Sequence, residues 1–296
     1  MSASTSPPAS PRDRGRLGLI VLAGIGASFL LVVAVNRWAI PGDEHAYWLA
    51  ARRLLEGQPL YDAAATIVTP YAYLYPPPLA QALVPVAAVL PAWAFDLLWT
   101  VGMLASLFWL ADRDVIRALA LIAFPPVAVE FWFRNVHLFL AVLVVLGLRR
   151  AAAAFSVGAA IKISPILGIP YLALRRRWRD AAVATGIGLG LLVISVVLSP
   201  DAWRDFVTFA TAIDPLQQSA FVAVPFPVRV LVALGLVVVG GLTAPRFGEL
   251  LLVVAVTVAL PSLWFTGLSL LVAMVPLWRQ PALPPTPQTP PTAQPA

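Results

Sequence analysis

Residues 17–35 read LGLIVLAGIGASFLLVVAV, with one hydroxyl and no charge. As a helix rising 1.5 Å per residue, this stretch covers about 28 Å, close to the roughly 30 Å of a bilayer's hydrocarbon core. It is longer than a signal-peptide core and lacks a convincing small-residue cleavage site, so it reads as an uncleaved first span. The rest of the chain agrees. Of its 296 residues, 60% are hydrophobic and 11% charged, with a mean hydropathy of +0.86. A soluble domain is about 45–50% apolar and about 25% charged. One water-soluble core cannot bury this much apolar surface. A soluble enzyme, a nucleic-acid-binding module and a disordered chain all fit poorly.

The formal charge of +6 comes from basic residues clustered between apolar runs, and Lys162 is the only lysine. Such clusters orient membrane proteins by lying on the cytoplasmic side. Residues 1–16 read as a polar cytoplasmic tail and 279–296 as a Pro-rich disordered extension, with the membrane domain at 17–278. Further apolar runs lie near 79–90, 92–111, 115–129, 136–148, 151–174, 180–198, 227–243, 248–260 and 262–277. The run 151–174 is interrupted by Lys162, Ser164 and Pro165, and reads as one span or as two short helices meeting near Lys162. The cluster Arg175, Arg176, Arg177 and Arg179 keeps its cytoplasmic side in either layout, but if 79–90 and 151–174 were each full spans Arg149 and Arg150 would move outside, so the second reading is preferred. It puts 36–91, 130–136 and 199–226 together outside. The expected fold is all-α, a polytopic bundle of about 9–10 membrane helices. In its first outer loop, 44–56 repeats apolar residues at helical spacing, as an interfacial helix does; 79–90 is short for a span and reads as interfacial or re-entrant.

Polar groups at membrane depth are costly and are functional candidates. Lys162 reads as a contact to a phosphate or carboxylate in a cavity, or as a lysine snorkelling to the interface. Asp43, Glu44 and His45 follow the first span. A carboxylate there can act as a general base on a sugar hydroxyl, or the acids can serve the start of a helix. Glu130, Arg134, Asn135 and His137 form a polar knot at the mouth of a span, as a site or as an interfacial flank. Tyr71, Tyr73 and Tyr75 read as a sugar platform or as interface residues. Gln217, Gln218 and Ser219 are an unremarkable polar stretch. The GxG patterns at Gly24/Gly26 and Gly186/Gly188/Gly190 lie inside spans and read as close helix packing. There is no Cys, and the only histidines are His45 and His137, too few to indicate a zinc site.

Four stretches in order carry a family resemblance: DEHAYWLAARRLLEGQPLYD (43–62), YLYPPPLAQALVPVAAVLP (73–91), SVGAAIKISPILGIPYLALRRRWR (156–179) and LQQSAFVAVPFPVR (216–229). Together they resemble glycosyltransferase family 87, integral-membrane mannosyltransferases of the GT-C superfamily. The family often has Gly-Gln-x-Asn where this chain has Arg134-Asn135-Val136-His137, and a late His where this chain has Thr266. The resemblance implies transfer of a mannosyl or related residue from a polyprenyl-phosphate-mannose donor to a glycolipid or lipoglycan acceptor, with inversion, on the outer face of a bacterial plasma membrane. It implies Asp43 as the general base that deprotonates the acceptor hydroxyl, with Lys162, helped by Arg229 or His137, at the donor phosphate; Glu44 is the second catalytic candidate. His45, Tyr73, Tyr75, Asn135, Gln218 and Ser219 are the candidate substrate contacts. Neither a metal nor another cofactor is implied, and no nucleic-acid partner. The competing reading is a non-catalytic membrane protein, a scaffold or a transporter. A transporter should show broken helices in two corresponding halves, whereas one broken segment is visible.

Overall fold

A computed structural model describes residues 11–37, 42–62, 69, 71–212 and 224–279. Every regular element among them is helical, as the composition predicts. Helix α1 (Pro11–Arg37) begins inside the stretch read as a tail, because proline fits a first helical turn, where its missing N–H is not needed. Its apolar part, Gly15–Val35, is mostly exposed to the surroundings, as a lipid-facing helix is. It docks on α5 (Val115–Ile122) through Gly26, where a side chain would collide with the Leu119 carbonyl. Of the glycines read as packing positions, Gly188 also meets a neighbour, whereas Gly24, Gly186 and Gly190 face open space.

The segment after α1 forms α2 (Asp43–Leu55), ended by Gly57 at φ 67°. It is followed by α3 (Pro77–Val89), whose length of 13 residues is short for a span. Helix α4 (Ala92–Leu110) is long enough to cross, and so is α10 (Trp178–Leu198). Helices α5 and α6 (Pro125–Phe133) are bent against each other by 86°. The break precedes Pro125, where the residue before a proline is steered away from helical geometry. The later elements are α7 (His137–Arg149), α8 (Ala153–Ile161), α9 (Gly168–Leu174), α11 (Pro200–Ala212), α12 (Phe226–Leu242) and α13 (Pro245–Val258). A 3-10 stretch over Phe265–Ala273 then leads into α14 (Met274–Arg279). Three described helices are long and apolar enough to span alone, and the bent α5–α6 pair adds a fourth. The other apolar helices of 10–17 residues, among them α3, α7 and α12, correspond to the short apolar runs of the sequence. Several lie buried against other protein, where a partial crossing leaves its ends covered.

The segment around Lys162 is a hairpin. Helix α8 ends at Ile161, Lys162 is extended (φ −139°, ψ 135°), and a 3-10 turn (Ser164–Leu167) starts the return along α9. Two close approaches set the register: a side chain on Gly168 would strike the Phe155 ring, and one on Gly158 would come 3.0 Å from Pro165. Positions 155 and 168, and 158 and 165, therefore oppose each other, which is antiparallel packing centred on Lys162. At the open end Arg177 donates to the Leu148 carbonyl at 3.0 Å, so α9 finishes where α7 ends and α8 begins.

That end of the bundle is basic and tightly tied. Arg149 makes a two-pronged contact to Glu249, at 2.9 and 2.7 Å. Arg175 donates to the carbonyl of Thr243 at 2.7 Å. Arg279 pairs with Asp112 at 3.0 Å.

Candidate functional site

Away from the basic end, the hairpin tip, the segment between α1 and α3, and the α6–α7 junction converge. Helix α6 stops because Arg134 adopts a left-handed conformation (φ 55°), and Trp99 of α4 donates to the Arg134 carbonyl at 3.0 Å. This turn aims Asn135 at α2. The Asn135 amide donates to the Asp43 carboxylate, and its carbonyl oxygen accepts from the Tyr75 hydroxyl at 2.9 Å and from the Val136 N–H at 2.7 Å. With its proton engaged by Asn135, Tyr75 accepts from the Tyr47 hydroxyl at 2.8 Å. The Lys162 ammonium lies 5.0 Å from the centre of the Tyr75 ring, within cation–π range. Lys162 is also 2.9 Å from His137 Nε2, and His137 Nδ1 is 3.0 Å from Glu130. Asp43, Asn135, Tyr75, Lys162, His137 and Glu130 thus form one connected polar network.

Asp43 is the first helical residue of α2. The cap position is Gly42, with no side-chain cap, so the reading of Asp43 as a helix cap does not match its geometry. Its neighbour Glu44 serves the helix start instead. One Glu44 oxygen accepts from the Gly42 N–H at 3.1 Å and lies 2.9 Å from Arg134. Burial pushes the Asp43 carboxyl up to about 6, against the opposing hydrogen bond from Asn135. Burial likewise lifts Glu44 to about 7, against the attraction of Arg134. Two adjacent acids are thus held differently, Glu44 by a guanidinium and Asp43 by a neutral amide. A carboxylate held by an amide and set near neutrality suits general-base work.

Lys162 borders a cavity of about 470 Å³. Its walls come from the Tyr75 loop (Leu74, Pro76), the hairpin (Ala160, Ile163, Ile166), α10 (Leu189, Leu192) and α11 (Trp203, Phe206, Phe209). Lys162 is the charged side chain among its lining residues. Helix α11 covers the cavity with residues at helical spacing, while Arg204 and Asp201 stay exposed on its other face. Trp203 donates to Ser195 at 2.9 Å, and Tyr61 stacks on Phe209, which ties the cover to α10 and to the first loop. These aromatic residues were not singled out from the sequence, although the amphipathic pattern of 200–212 carried the signal.

The other candidates engage groups outside this network. Tyr73 spends its hydroxyl on the backbone, donating to Pro76 at 2.9 Å and accepting from Ala80 at 2.9 Å. His45 packs between Trp48 and Tyr71. Arg229, on α12, directs its guanidinium to the carbonyls of Val258, Leu260 and Pro261 at 3.0, 2.6 and 2.9 Å, and Pro261 lines the cavity that Lys162 borders. Thr266 is buried, next to Gly267, where a Cβ would lie 3.8 Å from His137 Nε2. Gln218 and Ser219 lie outside the described residues. Among those residues no three His, Asp or Glu side chains are grouped to hold a metal ion.

Fold and site together define a polytopic helical membrane protein with a polar network against an apolar cavity. The chain belongs to glycosyltransferase family 87, whose model matches residues 73–284, and is therefore a membrane glycosyltransferase. The match takes in Tyr75, Asn135, His137 and Lys162; Asp43 and Glu44 precede it. No curated protein and no solved structure matches the chain.

Proposed function

We propose that the protein transfers a mannosyl or related residue from a polyprenyl-phosphate-sugar to a lipid-linked glycan on the outer face of a bacterial plasma membrane. The observation that carries this reading is an apolar cavity with a cation in its wall, Lys162, connected through Tyr75 and Asn135 to the carboxylate of Asp43. Such a cavity suits a prenyl chain with an anionic head. Asp43 removes the proton from the acceptor hydroxyl as its oxygen attacks the anomeric carbon. The bond from that carbon to the phosphate oxygen breaks, and attack from the opposite face inverts the configuration. The departing prenyl phosphate gains negative charge as it leaves. It needs a nearby cation more than a proton, and Lys162 supplies one. Arg229 supports the cavity through the Pro261 carbonyl and has no direct phosphate role in this reading.

The test is transfer of radiolabelled sugar from polyprenyl-phosphate-mannose by membranes containing the protein, with polyprenyl-phosphate-arabinose in parallel. Lys162→Ala is expected to raise the donor KM about tenfold or more, the scale of a hydrogen bond to a charged group, with the acceptor KM unchanged. Equal changes in both constants would remove Lys162 from the donor phosphate. No transfer from either donor by protein shown to be folded would overturn the reading.

A further inference from the structure

Lys162 contacts an imidazole, and the carboxylate stands behind it. An ammonium has only donors, so the 2.9 Å contact makes His137 Nε2 the acceptor. The ring proton then belongs on Nδ1, which donates to Glu130 Oε2 at 3.0 Å. The other Glu130 oxygen accepts from the backbone N–H of His137 at 2.7 Å. Glu130 thus grips one residue at both its ring and its backbone. Glu130 is 0% exposed, His137 1% and Lys162 8%, so protein packing restricts all three side chains. A carboxylate behind a histidine fixes ring orientation and tautomer, as it does behind a metal-bound histidine. Were Glu130 itself against the ammonium, the two would form an ion pair and an incoming anion would have to compete for the lysine. With a neutral imidazole between them, the lysine is oriented and its charge is retained at the cavity wall.

We infer that Glu130 and His137 are positioning residues that hold Lys162 as an unneutralised cation aimed at an anionic lipid headgroup. The headgroup chemistry is a phosphodiester on an apolar tail, which rests on the reading given under Proposed function. Glu130 sets the tautomer, His137 presents its lone pair, and Lys162 meets the anion.

Two measurements test this on the full-length protein in detergent or nanodiscs. The first is 15N NMR of the histidine side chains. The chain has 2 histidines, so a His45→Asn variant leaves His137 alone in the spectrum. The expected result is an Nδ1–H, Nε2-unprotonated ring that loses this preference in Glu130→Gln. An Nε2–H ring or an imidazolium in the Glu130 protein would overturn the inference.

The second is a double-mutant cycle with polyprenyl-phosphate-mannose as the varied substrate. Glu130→Gln should raise the donor KM about tenfold, leave the acceptor KM unchanged, and add nothing in a Lys162→Ala background. A residue that only supported the fold would act equally in both backgrounds. If Lys162→Ala raises the donor KM but Glu130→Gln acts equally in both, the positioning role alone falls. If Lys162→Ala leaves the donor KM unchanged, the donor reading falls and the inference with it.

Discussion

Asp43→Asn is expected to separate activity from stability in opposite directions. The substitution keeps the size of the side chain and keeps an oxygen to accept from the Asn135 amide, but removes the base. General-base catalysis contributes roughly 10²–10⁴-fold, so kcat/KM should fall by about that factor. Stability should move the other way. Burial lifts the Asp43 carboxyl from its ordinary 3.8 to about 6. At 1.36 kcal/mol per decade, keeping it ionised costs the folded state up to about 3 kcal/mol at pH 8. The pKa is raised on folding, so folding takes up protons over this range. The contribution is fully present below pH 4 and lost as pH rises through about 6. Asparagine mimics the protonated form. The variant should therefore be the more stable protein at pH 8 and nearly equal to the parent at pH 4. Thermal unfolding of both proteins in detergent across that range checks the sign, and transfer assays check the activity. The parent's kcat/KM should also rise with pH through about 6, as the base ionises. Full activity in the variant, or a stability gap that widens toward low pH, would refute the reasoning.

Asn135→Ala removes the donor to Asp43 and the acceptor for Tyr75; the apparent pKa governing kcat/KM should rise, measured from the pH–rate profile. Arg149→Ala leaves Glu249 as an unpaired buried acid at the basic end. It should cost about 3–5 kcal/mol of stability, and at pH 8 Glu249→Gln in the same protein should recover part of it in thermal unfolding. Gly168→Ala places a methyl against the Phe155 ring at the hairpin's closest approach. Overpacking of this kind costs about 1–3 kcal/mol, and because the hairpin carries Lys162, the donor KM should rise along with the loss of thermal stability.

How far the sequence could be read depended on whether a signal was local. The helical class was legible because hydropathy is a property of each segment. The break at Lys162 was legible because an ion, a hydroxyl and a proline interrupt one apolar run. The short helices were harder to read. A 13-residue segment such as α7 looks in sequence like a truncated span, and what allows it to be short is the protein packed around it. Within the site, Asp43, Lys162 and His137 stood out as rare charged or titratable groups in an apolar chain. Tyr73 and Tyr75 could not be told apart, being the same residue type two positions apart, yet one is absorbed by the start of α3 and the other joins Asn135.

The sequence by itself determined that this is a helical membrane chain with its one lysine at a break in an apolar run, because transfer of side chains from water to hydrocarbon is decided residue by residue. Only the tertiary structure decided which polar groups meet. It put the amide of Asn135 on Asp43 and the imidazole of His137 between Glu130 and Lys162, and it sent the Arg229 guanidinium to backbone carbonyls. Those outcomes depend on a left-handed turn at Arg134 and on glycine contacts in the hairpin. Hydrogen-bond partners are chosen by distances of a few tenths of an ångström between segments far apart in the chain, and a hydropathy pattern contains no such distances.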